Sequence, residues 1–160
     1  MELSDVLTLV FGILGMVTGI VGLCISFFSY DHNKIEALNL YFIQAREPLL
    51  MDGKKIICDL QKDEKIDLSC ADDILEKVSH VTNFYHHWGL MVKRNQLPFW
   101  IFYDKKSGIT SSGIAVVRTY NRLKPTIQYF RRKNEQYAEY YEWLYNQIIK
   151  KCPKYKNYTG

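Results

Sequence analysis

The residues best equipped for chemistry lie in RTYNRLKPTIQYFRRK, residues 118–133, where Arg118, Arg122, Lys124, Arg131, Arg132 and Lys133 alternate with Tyr120, Tyr129 and Phe130. Guanidinium groups grip phosphate oxygens bidentately and aromatic faces stack on bases, so this mixture suits a nucleotide or a short single-stranded nucleic acid. Arg118 and Arg122 stand at i and i+4, on one face of a helix. The expected ligand contacts are Arg118, Arg122, Lys124, Arg131, Arg132, Tyr120 and Tyr129. The alternative is a solvated basic face whose tyrosines pack into a core. Copies of the segment set around a symmetry axis would merge into one strongly basic pocket.

Other chemistries find less support. His80, His86 and His87 share one helical stretch, but His80 and His87 are a heptad apart, too far along the axis to chelate one metal easily, and H-E-x-x-H is absent. A structural role is expected for them, with no metal and no cofactor. Glu76 and Asp73 lie nearby without forming a carboxylate pair suited to a reaction. No G-x-x-x-x-G-K-[ST], G-x-G-x-x-G or G-x-S-x-G occurs, so neither a phosphate-cradling loop nor an activated serine is indicated, and no enzyme is expected. Tyr137, Tyr140, Tyr141, Trp143, Leu144 and Ile148 keep a helical spacing that suits core and interface.

The elements that would carry these residues follow an unusual N-terminal stretch. From Val6 to Phe28 there are 23 uncharged residues with only Thr8, Thr18 and Ser26 polar. At about 1.5 Å per residue this crosses a hydrocarbon core of roughly 30 Å, so residues 1–30 read as a transmembrane anchor. A cleaved signal peptide would want a basic start and a small-residue cleavage site. The chain instead starts Met-Glu-Leu-Ser-Asp, and the apolar run ends in Phe27, Phe28, Ser29 and Tyr30. All 21 Lys and Arg follow the span, Lys34 and Arg46 soon after it, so residues 31–160 are expected on the cytoplasmic side of the inner membrane. The formal charge of +4 rises to +6 once Glu2 and Asp5 are set aside, which allows an anionic partner. Cys24, Cys58, Cys70 and Cys152 show no C-x-x-C spacing and suit free thiols in a reducing compartment.

Within the span, Thr8, Gly12, Gly15, Gly19, Gly22 and Ser26 recur at intervals of 4, 3, 4, 3 and 4, a heptad seam of small residues. Leu9, Ile13, Met16, Ile20, Leu23 and Phe27 occupy the opposite face. Helices associate in lipid by close backbone approach, so the seam is expected to pack against another copy or to line a pore. With one span per chain, a closed homo-oligomer is the common outcome. No ionisable residue lies inside the span, so strong ion selectivity is not expected.

The remainder reads as all-α, with at most one short strand. Helices are expected over His32–Ala45, over the stretch from Cys70 to Arg94 that Ser69 precedes, from Thr110 or Ser111 through Arg122, and over Thr126–Lys150, with Lys124-Pro125 breaking the last two apart. Met51-Asp52-Gly53 reads as a turn, Lys54–Asp67 as a short helix or loop, and LPFWIFY as a strand or helical turn ended by DKKSG. Gly89 is a point of close packing or a kink, and the terminal KYKNYTG is expected to fray.

At HVTNFYHHWGLMVKRNQLP, then RLKP and YYEWL, residues 75–145 resemble a family of uncharacterised bacterial proteins with one N-terminal membrane helix and a short helical domain. The architecture also resembles the membrane effectors of Hailong anti-phage defence systems. That resemblance implies a partner nucleotidyltransferase making short DNA oligomers, which hold a tetrameric effector closed until their loss opens an ion channel. The combined expectation is a homo-oligomeric membrane effector gated by an anionic nucleotide or short oligonucleotide. The alternative is a membrane-tethered adaptor that forms no channel.

Overall fold

The computed structural model describes residues 3–59 and 72–159, with the side chains of residues 3–10, 27, 30, 31 and 72 outside the described set. The expected helix start at Cys70, together with Ser69 and the KDEKID stretch, lies outside the described residues, as do the side chains of Thr8, Leu9 and Phe27. The chain forms two compact units, Met1–Ala37 and Leu38–Gly160.

The first unit is the leading part of helix α1, Leu3–Gln44, which at ~1.5 Å per residue is roughly 60 Å long. The expected helix from His32 is its direct continuation. Every side chain from Phe11 to Ser26 is exposed. The only hydroxyls among them turn inward to the helix: Thr18 Oγ1 donates to the Leu14 and Gly15 carbonyls at 2.9 and 3.0 Å, and Ser26 Oγ to that of Gly22 at 2.9 Å. No atom lies within 4 Å of a Cβ built on Gly12, Gly15, Gly19 or Gly22. Among the described residues no helix is long and apolar enough to cross a membrane. The expected span, Val6–Phe28, includes Val6–Val10 and Phe27, whose side chains are outside that set.

The second unit is helical. It comprises the end of α1, α2 (Pro48–Asp59), α3 (Asp72–Lys93), α4 (Ser111–Arg131) and α5 (Glu139–Lys151), with 3-10 turns at Phe99–Ile101 and Pro153–Tyr155. A two-stranded antiparallel ladder, β1 (Tyr103–Asp104) and β2 (Gly108–Ile109), pairs Tyr103 with Ile109. Helix α3 packs against α2 and α5, and α4 packs against α5 and α2. The core is apolar and aromatic: Leu50, Trp88, Phe102, Leu123, Tyr141 and Ile148 are fully buried. Tyr41 of α1 joins it edge-on to Trp88 and Phe102, with ring centres 5.4 and 5.6 Å away.

Four expectations are corrected. Met51-Asp52-Gly53 is not a turn but runs inside α2, which Pro48 opens at a first-turn position where its missing N–H costs nothing. Gly53 is there for contact, since a Cβ would strike the Lys77 carbonyl of α3. Pro125 does not interrupt α4, although an internal proline costs about 3 kcal/mol or more. Burial of Leu123, Thr126 and Ile127 on both sides of it holds the helix through. The long helix expected over Thr126–Lys150 is instead divided by a reversal at residues 132–138, where Ala138 takes φ 57° and α5 turns back onto α3. Of the segment KYKNYTG, the described residues 154–159 are not frayed, because side chains of α4 and α5 hold their backbone.

Two ambiguities close. LPFWIFY supplies both a 3-10 turn and the first strand residue, and DKKSG forms the tight turn. There Asp104 Oδ2 accepts from the Ser107 N–H (3.1 Å) and Oγ (2.8 Å), which holds its carboxyl below the usual range. Thr110 caps α4 by accepting from the Gly113 N–H at 3.1 Å while donating to the Ile101 carbonyl. Gly89 proves a close-packing point, because a Cβ would meet the Tyr140 carbonyl of α5.

Candidate anion-binding surface

Helix α4 carries most of the basic residues singled out in the sequence, but it distributes them over several environments. Tyr120 is buried, stacked on Tyr145 with ring centres 4.3 Å apart, and its hydroxyl bonds Glu142. Burial, reinforced by that carboxylate, pushes its phenol well above the ordinary range. Arg131 is committed as well: Nη1 lies 2.5 Å from Glu142 Oε2, and Nε donates to the Tyr137 carbonyl at 2.9 Å across the reversal. Burial pushes the Glu142 carboxyl up, but the hydrogen bonds from Arg131 and Tyr120 outweigh it and hold the group below its usual value. These contacts join α4 to α5, which assigns Tyr120 and Arg131 to the scaffold.

Arg118 is partly buried, and its Nε is enclosed without a hydrogen-bond partner. Its positive charge reaches the fully enclosed Tyr85, whose phenol burial pushes far up and Arg118 partly offsets. Arg122, one turn on, donates from Nε to the Thr159 carbonyl at 2.8 Å. Lys124, Arg132 and Lys133 are exposed. Lys133 sits 5.7 Å over the ring of Tyr129, itself 43% exposed and edge-on to Phe130. Of the seven expected contacts, Lys124, Arg132 and Tyr129 therefore remain at the surface, and Arg122 meets the C-terminal segment.

That segment is the part sequence reasoning missed. After the 3-10 turn Pro153–Tyr155, the Lys156 carbonyl accepts from Asn121 Nδ2 (3.1 Å) and the Tyr145 hydroxyl (2.8 Å). The Tyr158 carbonyl accepts from the same Asn121 nitrogen at 2.8 Å. Tyr155 and Tyr158 meet edge-on at 5.6 Å, and Lys154 lies 5.2 Å over Tyr155. Lys150, Lys151, Lys154 and Lys156 are all exposed. The available signal was charge: Glu142 is the last acidic residue, and four lysines follow it.

The histidines diverge. His80 Nε2 is 3.3 Å from Glu47 Oε2, His86 packs on Tyr140, and His87 packs on Trp88. Burial lowers the His86 pKa, with Glu139 opposing. Among the described residues no three His, Cys, Asp or Glu side chains converge on a metal position. Beside the reversal is an open cleft of about 360 Å³, lined by Asn83, His86, Asn134, Gln136, Glu139 and Tyr140. On α2, Lys54 lies over Phe84 and Tyr85 at 5.2 and 5.6 Å, and burial lowers its pKa to about 8.

No protein-family profile matches the chain, and neither a curated protein nor a solved structure matches it.

Proposed function

We propose that the protein is a membrane-anchored homo-oligomeric effector in which α1 inserts and self-associates while the helical unit senses an anionic nucleotide or short oligonucleotide and gates an ion-conducting assembly. The carrying observation is the apolar surface of α1. Phe11, Met16 and Leu23 are 68–69% exposed and Phe28 is 78% exposed, with Ile, Leu and Val between them also outward. Soluble monomers rarely leave a continuous apolar surface of this extent in water, so lipid or further copies must cover it. The inward-bonded hydroxyls of Thr18 and Ser26 suit a medium that offers no other partner.

The open flank of Gly12, Gly15, Gly19 and Gly22 supports the second half of the reading, because a neighbouring helix could approach to backbone contact there. The exposed cations of the helical unit support an anionic signal, and the Hailong resemblance suggests a tetramer, a DNA-oligomer ligand, a nucleotidyltransferase partner and a role in antiviral defence at the inner membrane. Expression of Gly15→Leu and Gly19→Leu variants in cells loaded with a potential-sensitive dye tests the proposal. The wild-type chain depolarises the membrane and both variants fail to, while their helical unit stays folded. Wild-type depolarisation by both variants sinks the pore, and no depolarisation by any form favours the tethered adaptor.

A further inference from the structure

Residues 143–160 contain four lysines and no acidic residue. Lys150 and Lys151 lie in the last turn of α5, where cations complement the helix dipole, so those two alone would need no further explanation. Lys154 and Lys156 lie beyond α5: Lys154 sits in the 3-10 turn and the Lys156 backbone N–H closes that turn onto the Pro153 carbonyl, roles that need no lysine side chain, and both residues are exposed. Among the described residues none of the four is ion-paired with a carboxylate.

The backbone that carries them is held in place. Asn121 and Tyr145 bond its carbonyls at Lys156 and Tyr158, and Arg122 bonds Thr159. Tyr158 is 37% exposed beside Tyr155. A charged tail that only solvates itself would not need four hydrogen bonds from buried and half-buried side chains of two helices. From these features we infer that residues 150–158, fastened to α4 and α5, form a docking strip for a single-stranded nucleic acid: Lys150, Lys151, Lys154 and Lys156 neutralise successive phosphates and Tyr158 offers a stacking face.

A lipid surface fits less well, because residues 150–159 contain no Leu, Ile, Val, Met or Phe to enter it. The inference rests on the reading of the helical unit as an anion sensor, and it moves the principal contact from α4 to the strip.

Fluorescence anisotropy of labelled dT10 with the full chain in phosphatidylcholine nanodiscs tests it. The variant Lys150→Gln/Lys151→Gln/Lys154→Gln/Lys156→Gln binds at least about tenfold more weakly at low salt, and its slope of log K against log salt is smaller by roughly 3. A control that removes the same charge from other exposed positions, Lys55→Gln/Arg94→Gln/Lys105→Gln/Lys106→Gln, keeps most of the affinity. Asn121→Ala keeps every lysine but frees the strip, so it weakens binding with the slope unchanged. Wild-type affinity in the four-lysine variant overturns the strip while leaving the anion-sensing reading intact, and equal losses in variant and control do the same. If that variant instead loses affinity only for phosphatidylserine nanodiscs, the strip belongs to lipid. Failure of the wild-type chain to bind dT10 overturns both.

Discussion

Replacing Gly89 by alanine tests how α3 and α5 are held together. The added methyl would overlap the Tyr140 carbonyl and approach Leu144, both on α5. Backbone on both sides cannot yield as a flexible side chain does, so the overpacking cost falls near the upper end of the usual range, about 3 kcal/mol. Alanine is the better helix former by about 1 kcal/mol, which leaves a net loss near 2 kcal/mol. For a unit of about 120 residues that lowers Tm by roughly 8 °C. Trp88, Trp100 and Trp143 all lie in the helical unit, so tryptophan fluorescence reports its melting without interference from the leading part of α1. A parallel Gly12→Ala variant, where nothing lies within 4 Å, leaves that melting point unchanged. A Gly89→Ala protein that melts at or above the wild-type temperature refutes the close α3 to α5 approach.

Arg131→Gln breaks the contacts to Glu142 and the Tyr137 carbonyl; discounted for partial exposure, it costs about 1 kcal/mol, or roughly 4 °C in Tm, whereas Arg132→Gln shifts it by less than about 2 °C. Equal shifts in the two melts would contradict the scaffold role given to Arg131. Stability also depends on alkaline pH. Lys54 loses its proton near pH 8 in the fold and near about 10.4 unfolded, so between those values the unfolded chain binds more protons and stability rises with pH. Tyr41, raised to about 12, and Tyr85 and Tyr141, which burial pushes well above the ordinary phenol range, stay protonated in the fold while unfolded tyrosines ionise above about 10, so stability then falls. Fluorescence melts from pH 7.5 to 11 therefore show a maximum between about pH 9 and 10. Lys54→Met removes the rising limb, and a rise that survives the substitution contradicts the assignment to Lys54.

Period and composition made much of the helical unit legible before any coordinates. The regular apolar spacing from Ile74 to Met91 marked α3, and the Thr110-Ser111 pair marked the start of α4, because both signals are local. What was hidden depended on partners distant in sequence. Gly53 carries the same letter whether it bends a turn or meets a carbonyl, and only the approach of α3 decides. Pro125 stays helical because its neighbours are buried. The reversal before α5 contains no Gly or Pro to announce it, and Ala138, a strong helix former, adopts a left-handed conformation there. The candidate site was legible only as a density of basic residues on α4. Nothing local distinguished Arg131, taken by Glu142, from Arg132 one position on, and the tail looked mobile because Asn121 and Tyr145, which hold it, lie far from it in sequence.

Native mass spectrometry of the full chain released from detergent micelles tests the central claim most directly. The proposed assembly gives one closed oligomer of fixed copy number that needs detergent to stay soluble, gains the mass of added dT10, and loses its copy number in Gly15→Leu. A monomer that stays soluble without detergent and binds no dT10 contradicts it.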